Sequence, residues 1–160
     1  MNESQITKEK TCAFYASDYH FEIISLPYIE EQLEKNKQII VLTENDLEES
    51  VKTVISKTNL KETKRKNIFS IDWNNDNLSK FKKIKKDIED QKDIIIFIKG
   101  KENYIKNVNR NIEKFVSNKD NVKIVDCYDI EEVSQDIDSI MNKYEKVLST
   151  TGEKEINKIL

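Results

Sequence analysis

The stretch Asp93-Ile94-Ile95-Ile96-Phe97-Ile98-Lys99 decides the fold class. A strand with one wet face alternates apolar and polar residues, and this one does not. An unbroken apolar run implies a strand buried on both faces, as in a parallel sheet covered by helices. Four further runs have strand character: Thr11–Ala16, Gln38–Thr43, Asn67–Trp73 and Asn121–Tyr128. Amphipathic stretches lie between them. Leu47, Val51, Val54 and Ile55 share one helical face, as do Leu78, Phe81, Ile84 and Ile88. Ile105, Val108, Ile112, Phe115 and Val116 make a third face. A longer one runs from Ile130 through Val133, Ile137, Ile140, Met141 and Tyr144 to Leu148.

Asp46 and Asp76 stand where N-caps of the second and third helices belong, since a carboxylate there accepts from free N–H groups. The first helix, from about Tyr19 to Lys35, contains Pro27, which predicts a kink. Alternating β and α units imply right-handed crossovers. The expected architecture is a three-layer α/β/α domain with a five-stranded, mostly parallel sheet. It spans residues 11–148, between a polar N-terminal segment (1–10) and a C-terminal tail (149–160). That tail is polar with a weakly apolar end, Ile156, Ile159 and Leu160. Either a RecA-like or a flavodoxin-like strand order fits this pattern.

Bulk composition narrows the function. Charged residues make up 36% of the chain and both signs are mixed, with a net charge of −3. That balance lacks the basic footprint of a nucleic-acid binder. The lysines at 80, 82, 83, 85 and 86 read as the outer face of an amphipathic helix. No apolar run reaches membrane-spanning length and no secretory h-region is present, so a cytoplasmic protein is expected. The wealth of Lys, Asn and Ile suits an AT-rich bacterial or phage genome. Cys12 and Cys127 sit in apolar runs and read as buried thiols.

Ligands of open α/β sheets bind beyond the carboxyl ends of the strands. The loop after the first run, Ser17-Asp18-Tyr19-His20, has no Gly and no Lys to surround a phosphate chain. Lys99-Gly100-Lys101 reads as a solvated strand-to-helix turn. One His and no Cys-x-x-Cys spacing argue against a metal site, and no cofactor is expected. Asp72 lacks the acidic pair and lysine that a receiver domain needs. Tyr15, Asp18, His20, Asp72 and Trp73 are the candidate ligand-binding residues, with aromatic walls suited to a small apolar or planar ligand. The competing role for Trp73 is a core plug, and for His20 a packing or hydrogen-bonding role. An enzyme built on Asp18, His20 and Asp72 is a further alternative.

The segment Cys12-Ala13-Phe14-Tyr15, then Phe21 to Leu33 with Pro27-Tyr28-Ile29 in mid-helix, then Gln38-Ile39-Ile40-Val41-Leu42, resembles the opening of the MEDS family. These are sensory domains of methanogen and methylotroph regulators, similar to the RecA/KaiC-like P-loop fold without a working phosphate loop. The resemblance covers about a quarter of the chain, with Ile71-Asp72-Trp73 a weaker echo. Lys10 and Thr11 stand where the family has a His ahead of its Cys, and Asn36 where it has a Gly. The resemblance implies a RecA-like strand order and a non-catalytic sensory or regulatory module. Such a module would bind a small ligand or a protein partner at the strand carboxyl ends. The alternative is an interaction or adaptor module, homodimeric or not, working through the apolar tail end and the acidic residues Glu131, Glu132, Asp136 and Asp138.

Overall fold

A computed structural model describes residues 10–116 and 119–156. The elements follow in order: β1 (Lys10–Tyr15), α1 (Asp18–Glu34), β2 (Gln38–Thr43), α2 (Glu48–Ser56), α3 (Glu62–Phe69) and α4 (Asn77–Glu89). Then come β3 (Ile94–Gly100), α5 (Glu102–Val116), β4 (Val122–Asp129), α6 (Ile137–Met141), β5 (Lys146–Ser149) and β6 (Gly152–Glu155). They form a six-stranded sheet in the order β2-β3-β4-β1-β5-β6. Every neighbouring pair is parallel except the terminal β5–β6 hairpin.

Strand β3 is interior and buried along its whole length, as its uniform apolarity requires. Its alternate side chains feed two cores. Ile95 and Phe97 pack with α1, α2 and α3, whereas Ile94, Ile96 and Ile98 pack with α4, α5 and α6. At roughly 1.5–3 kcal/mol for each fully buried aliphatic or aromatic side chain, this strand is a main source of stability. The two cysteines are free and buried, and they belong to opposite cores, so they face different layers.

Helix α1 runs through Pro27 without a break. Pro27 and Ile23 both lie on its exposed side, so the carbonyl that loses its partner is turned toward water. The chain then reverses at Asn36, which takes a left-handed φ of 63° while its N–H donates to the Leu33 carbonyl and that of Lys37 to the Gln32 carbonyl. Gln91 does the same after α4, with φ 58°. Both are Schellman-type endings, a role usually given to glycine.

Three expectations are corrected. Asn67–Trp73 is not a strand: residues 62–69 form α3, and the rest is loop. The apolar positions 68, 69, 71 and 73 satisfy both periods, and the helix formers of Lys61–Lys66 carry α3 into them. Ile68, Ile71 and Trp73 are still buried, while Phe69 is exposed. The long helix expected over Ile130–Leu148 is also replaced, by turns, the short α6 and the strand β5. Ser134, Asp136, Asp138 and Asn142 are weak helix formers, and Lys146-Val147-Leu148 pairs with β1 instead. Lastly, Ser149 to Glu155 is not a tail. Thr150 and Thr151 turn the chain, Gly152 takes φ 103°, and β6 returns along β5 to bury Ile156. Ile159 and Leu160 lie outside the described residues, as do residues 1–9. Of the acidic residues assigned to the last helix, only Asp138 lies in α6.

Smaller differences concern single residues. Leu78 is 75% exposed and leaves the α4 face that Ile84 holds. Asp76 occupies the N-cap of α4 without a side-chain bond, whereas Asp46 Oδ1 accepts from the Glu48 N–H at 2.8 Å. Between β4 and the α6–β5 connection, a buried polar cluster ties the layers. Asp126 accepts from Tyr144 Oη at 2.5 Å and from Asn109 Nδ2 at 3.1 Å. Burial pushes its carboxyl pKa up, and Lys10 at 4.0 Å opposes that. Among the described residues, no helix is long and apolar enough to cross a membrane.

Candidate functional site

The carboxyl ends of β1, β2 and β3 meet around one buried cation. Lys99 follows Ile95 and Phe97 on the α1-facing side of β3, so the pleat carries its side chain inward. It is 2% exposed. Its Nζ lies 2.9 Å from Asp18 Oδ1 and donates to Asn45 Oδ1 at 2.8 Å. The ammonium also stands 4.5 Å from the ring centre of Tyr15 and 5.5 Å from that of Phe21. Asn45 closes the triangle by donating Nδ2 to Asp18 Oδ2 at 2.9 Å. Its amide orientation is thereby set from both ends, oxygen to the ammonium and nitrogen to the carboxylate. Thr43 holds the loop from beneath by donating Oγ1 to the Asn45 carbonyl at 2.8 Å.

Asp18 opens α1, so its position follows from the helix start. Ser17 is the N-cap and accepts from the His20 N–H at 3.1 Å. His20 folds back, its Nδ1 accepting from the Ala16 N–H at 2.8 Å. An accepting Nδ1 leaves Nε2 as the protonated nitrogen of the neutral ring. The loop thus spends its own polar groups on itself.

The start of α5 is filled in the same manner. Glu44 Oε1 accepts from the Lys101 N–H at 3.0 Å, and Glu132 Oε1 from the Glu102 N–H at 2.8 Å. A helix N-terminus attracts anions, and here the chain supplies its own. Gly100 allows this closeness: a Cβ there would stand 2.6 Å from Tyr104 and 2.8 Å from Glu44 Oε1.

Glu22, one turn beyond Asp18, is fully buried. Its Oε1 accepts from Ser50 Oγ at 2.8 Å, while Oε2 has no hydrogen-bond partner among the described residues. Desolvation pushes its pKa up to about 7, with the Ser50 bond and Lys99 opposing and Asp18 adding to the rise. Burial likewise raises the Tyr15 hydroxyl, and it takes the Cys12 thiol up to about 12, far from a reactive thiolate.

Of the five candidate residues, Tyr15, Asp18 and His20 gather at the β1–α1 junction. The other two lie elsewhere. Trp73 is core, 4% exposed, donating Nε1–H to the Ile68 carbonyl at 2.9 Å. Asp72 is exposed and lines a cavity of ≈330 Å³ along the outer edge of β2, beside Lys80. The expected wall of Trp73 against the aromatic first loop is corrected: Trp73 instead plugs the α1–α3 layer. Of the residues of the alternative enzyme site, Asp18 and His20 stand at the start of α1 and Asp72 in the β2-edge cavity. Lys99 is also corrected, from solvated turn to buried ion. Its signal was its place at the end of an inward-facing alternation. A second cavity, ≈460 Å³, opens at the amino ends of β3 and β4 beside Tyr28, Gln32 and Lys123. Among the described residues, no group of three or more His, Cys, Asp or Glu is placed to hold a metal ion.

No model of a known protein family, no curated protein and no solved structure matches the chain.

Proposed function

We propose that the chain is a non-catalytic sensory or regulatory domain whose responsive element is the Asp18–Lys99–Asn45 junction. The observation that carries this reading is a buried ammonium neutralised by a carboxylate that is itself 39% exposed. A small anion from solvent can compete for Lys99 where Asp18 now sits. The exchange would free Asn45 as well and release the start of α1 from the ends of β2 and β3. A ligand shifts such an equilibrium only by its differential affinity for the two arrangements, and the buried cation supplies that difference. Hydrolysis of a nucleotide needs a loop around the phosphates and an Asp to hold Mg²⁺. Here the chain places a lysine and a self-bonded loop at the strand ends.

We further read the domain as RecA-like and of the MEDS kind. In flavodoxin-like sheets the order is 2-1-3-4-5. Here β1 lies between β4 and β5, which supports the other order under consideration. The proline-containing α1 and the left-handed Asn36, standing where the family has a Gly, support the resemblance too.

Thermal unfolding in a panel of small anions at fixed ionic strength tests the ligand. Phosphate, sulfate and simple carboxylates are suitable members. A hundredfold excess over Kd stabilises by about 2.7 kcal/mol, which for this size raises Tm by about 5–10 °C. At least one anion is expected to give that saturable rise in the wild type and none in Lys99→Met. A panel without any saturable rise would remove the small-ligand form and leave a protein partner as the effector.

A further inference from the structure

We propose that the cavity at the amino ends of β3 and β4 binds a small zwitterion, a short chain with an ammonium at one end and a carboxylate at the other. The site lies at the opposite ends of the strands from Lys99 and does not depend on that junction.

A volume of ≈460 Å³ is ample for such a molecule. Three connections carry the charged rim. Helix α1 ends at Glu34, α4 at Glu89 and α5 at Val116, and Lys37, Asp93 and Asp120 follow within the next few residues. Backbone bonds fix all three positions. The Lys37 N–H donates to the Gln32 carbonyl at 3.1 Å, and the Asp93 carbonyl accepts from the Gln38 N–H at 2.8 Å. The Val122 N–H closes the turn through Asp120 and Asn121 on the Lys119 carbonyl at 3.2 Å. Asn121 donates Nδ2 to the Lys92 carbonyl at 2.5 Å, and its own carbonyl accepts from the Ile94 N–H at 2.9 Å. The starts of β3 and β4 are thereby held together.

The rim charges are opposite in sign and unpaired. Gln38 pairs with Ile94, so Lys37 and Asp93 enter neighbouring strands side by side. Yet neither they nor Asp120 makes an ion pair or a side-chain hydrogen bond among the described residues. The other two charges at the cavity satisfy each other. Lys123 Nζ stands 2.5 Å from Glu153 Oε2, which also accepts from Thr11 Oγ1 at 2.6 Å. One cation on the β2 side therefore faces carboxylates at β3 and β4. From β2 to β4 is two strand spacings, about 10 Å. Charges set that far apart suit a ligand charged at both ends.

Gln32 points to the same ligand. It lines the cavity at 8% exposure. Its Nε2 donates to Glu31 Oε1 at 3.3 Å, and its Oε1 has no hydrogen-bond partner among the described residues. A buried acceptor left unmet is costly, and an ammonium in the cavity meets it. The carboxyl ends of three helices gather on this side, and their dipoles favour the same positive group. Tyr28 supplies a wall, its ring centre 6.1 Å from that of Phe97 and 5.4 Å from Lys123 Nζ. Buried Ile94 and Val122 add apolar surface for the methylenes.

Amide NMR of the full chain, titrated at constant ionic strength with γ-aminobutyrate, n-butylamine and butyrate, tests this. The probes share one carbon chain and differ in their charges. The zwitterion is expected to shift the amides of Gln32, Lys37, Asp93 and Asn121 saturably at millimolar concentration. Each singly charged probe should bind at least tenfold more weakly. Lys37→Glu should reverse the order, so that n-butylamine binds better than γ-aminobutyrate. Asp93→Asn with Asp120→Asn, both at exposed positions, should weaken γ-aminobutyrate at least tenfold. No saturable shift at these amides up to tens of millimolar probe would overturn the proposal. So would a singly charged probe that binds as tightly as the zwitterion, an unchanged order in Lys37→Glu, or shifts confined to another surface.

Discussion

Asp18→Ala is expected to lower the unfolding free energy by about 2–4 kcal/mol, a large loss for a residue that is not itself core. Among the described residues, the substitution removes the only carboxylate paired with Lys99 and leaves a buried ammonium with one amide oxygen, that of Asn45. Removing one partner of a fully buried pair costs about 3–5 kcal/mol; the partial exposure of Asp18 places this case lower. Replacing both partners is expected to cost far less. In the double variant Asp18→Ala with Lys99→Met, an apolar chain of similar length lies against the rings of Tyr15 and Phe21, and no charge is stranded. Urea unfolding of the four members of this cycle gives the coupling directly. An Asp18→Ala loss below about 0.5 kcal/mol would mean the pair is no more than a surface contact.

Glu22→Gln is expected to change how stability depends on pH. Glu22 has a folded-state pKa of about 7 against an ordinary 4.5, so the folded protein binds its proton more tightly than the unfolded chain. Its contribution is complete below pH 4.5 and is lost as pH rises through 7. The difference is worth about 3 kcal/mol at 1.36 kcal/mol per pH unit. Glutamine keeps the shape and an acceptor for Ser50 and carries no charge. The variant should therefore match the wild type near pH 4.5 and exceed it by about 2–3 kcal/mol at pH 8. Taking the difference between the two proteins cancels other titrating groups, Asp126 among them. Parallel stability profiles from pH 4.5 to 8 would show that Glu22 reaches water.

The sheet was legible wherever burial on both faces suppressed alternation. Ile94–Ile98 could be nothing else, and Gln38–Thr43 and Asn121–Tyr128 follow it in kind. Asn67–Trp73 was ambiguous because its apolar residues meet both periods, and only the run of helix formers before it decides for α3. Ile130–Leu148 misled in another way. Its apolar spacing is helical, yet its polar residues are poor helix formers and β1 offers Val147 and Leu148 a better partner. Hydrogen bonds to a distant strand are invisible to a local pattern. The site was half legible for the same reason. That the loop Ser17–His20 has neither the Gly nor the Lys of a phosphate-binding loop is read directly from its residue types. The closure of that loop by Lys99 and Asn45 could not be read so, because 54 positions separate those two residues.

Phosphate release from Mg²⁺·ATP, followed with the purified chain over hours, tests most directly whether the strand ends are filled by the protein's own charges. With Asp18 on Lys99, Glu44 on Lys101 and Glu132 on Glu102, release at the rate of a protein-free blank is expected, in the wild type and in Lys99→Met alike. Saturable hydrolysis in the wild type that disappears in Lys99→Met would contradict it.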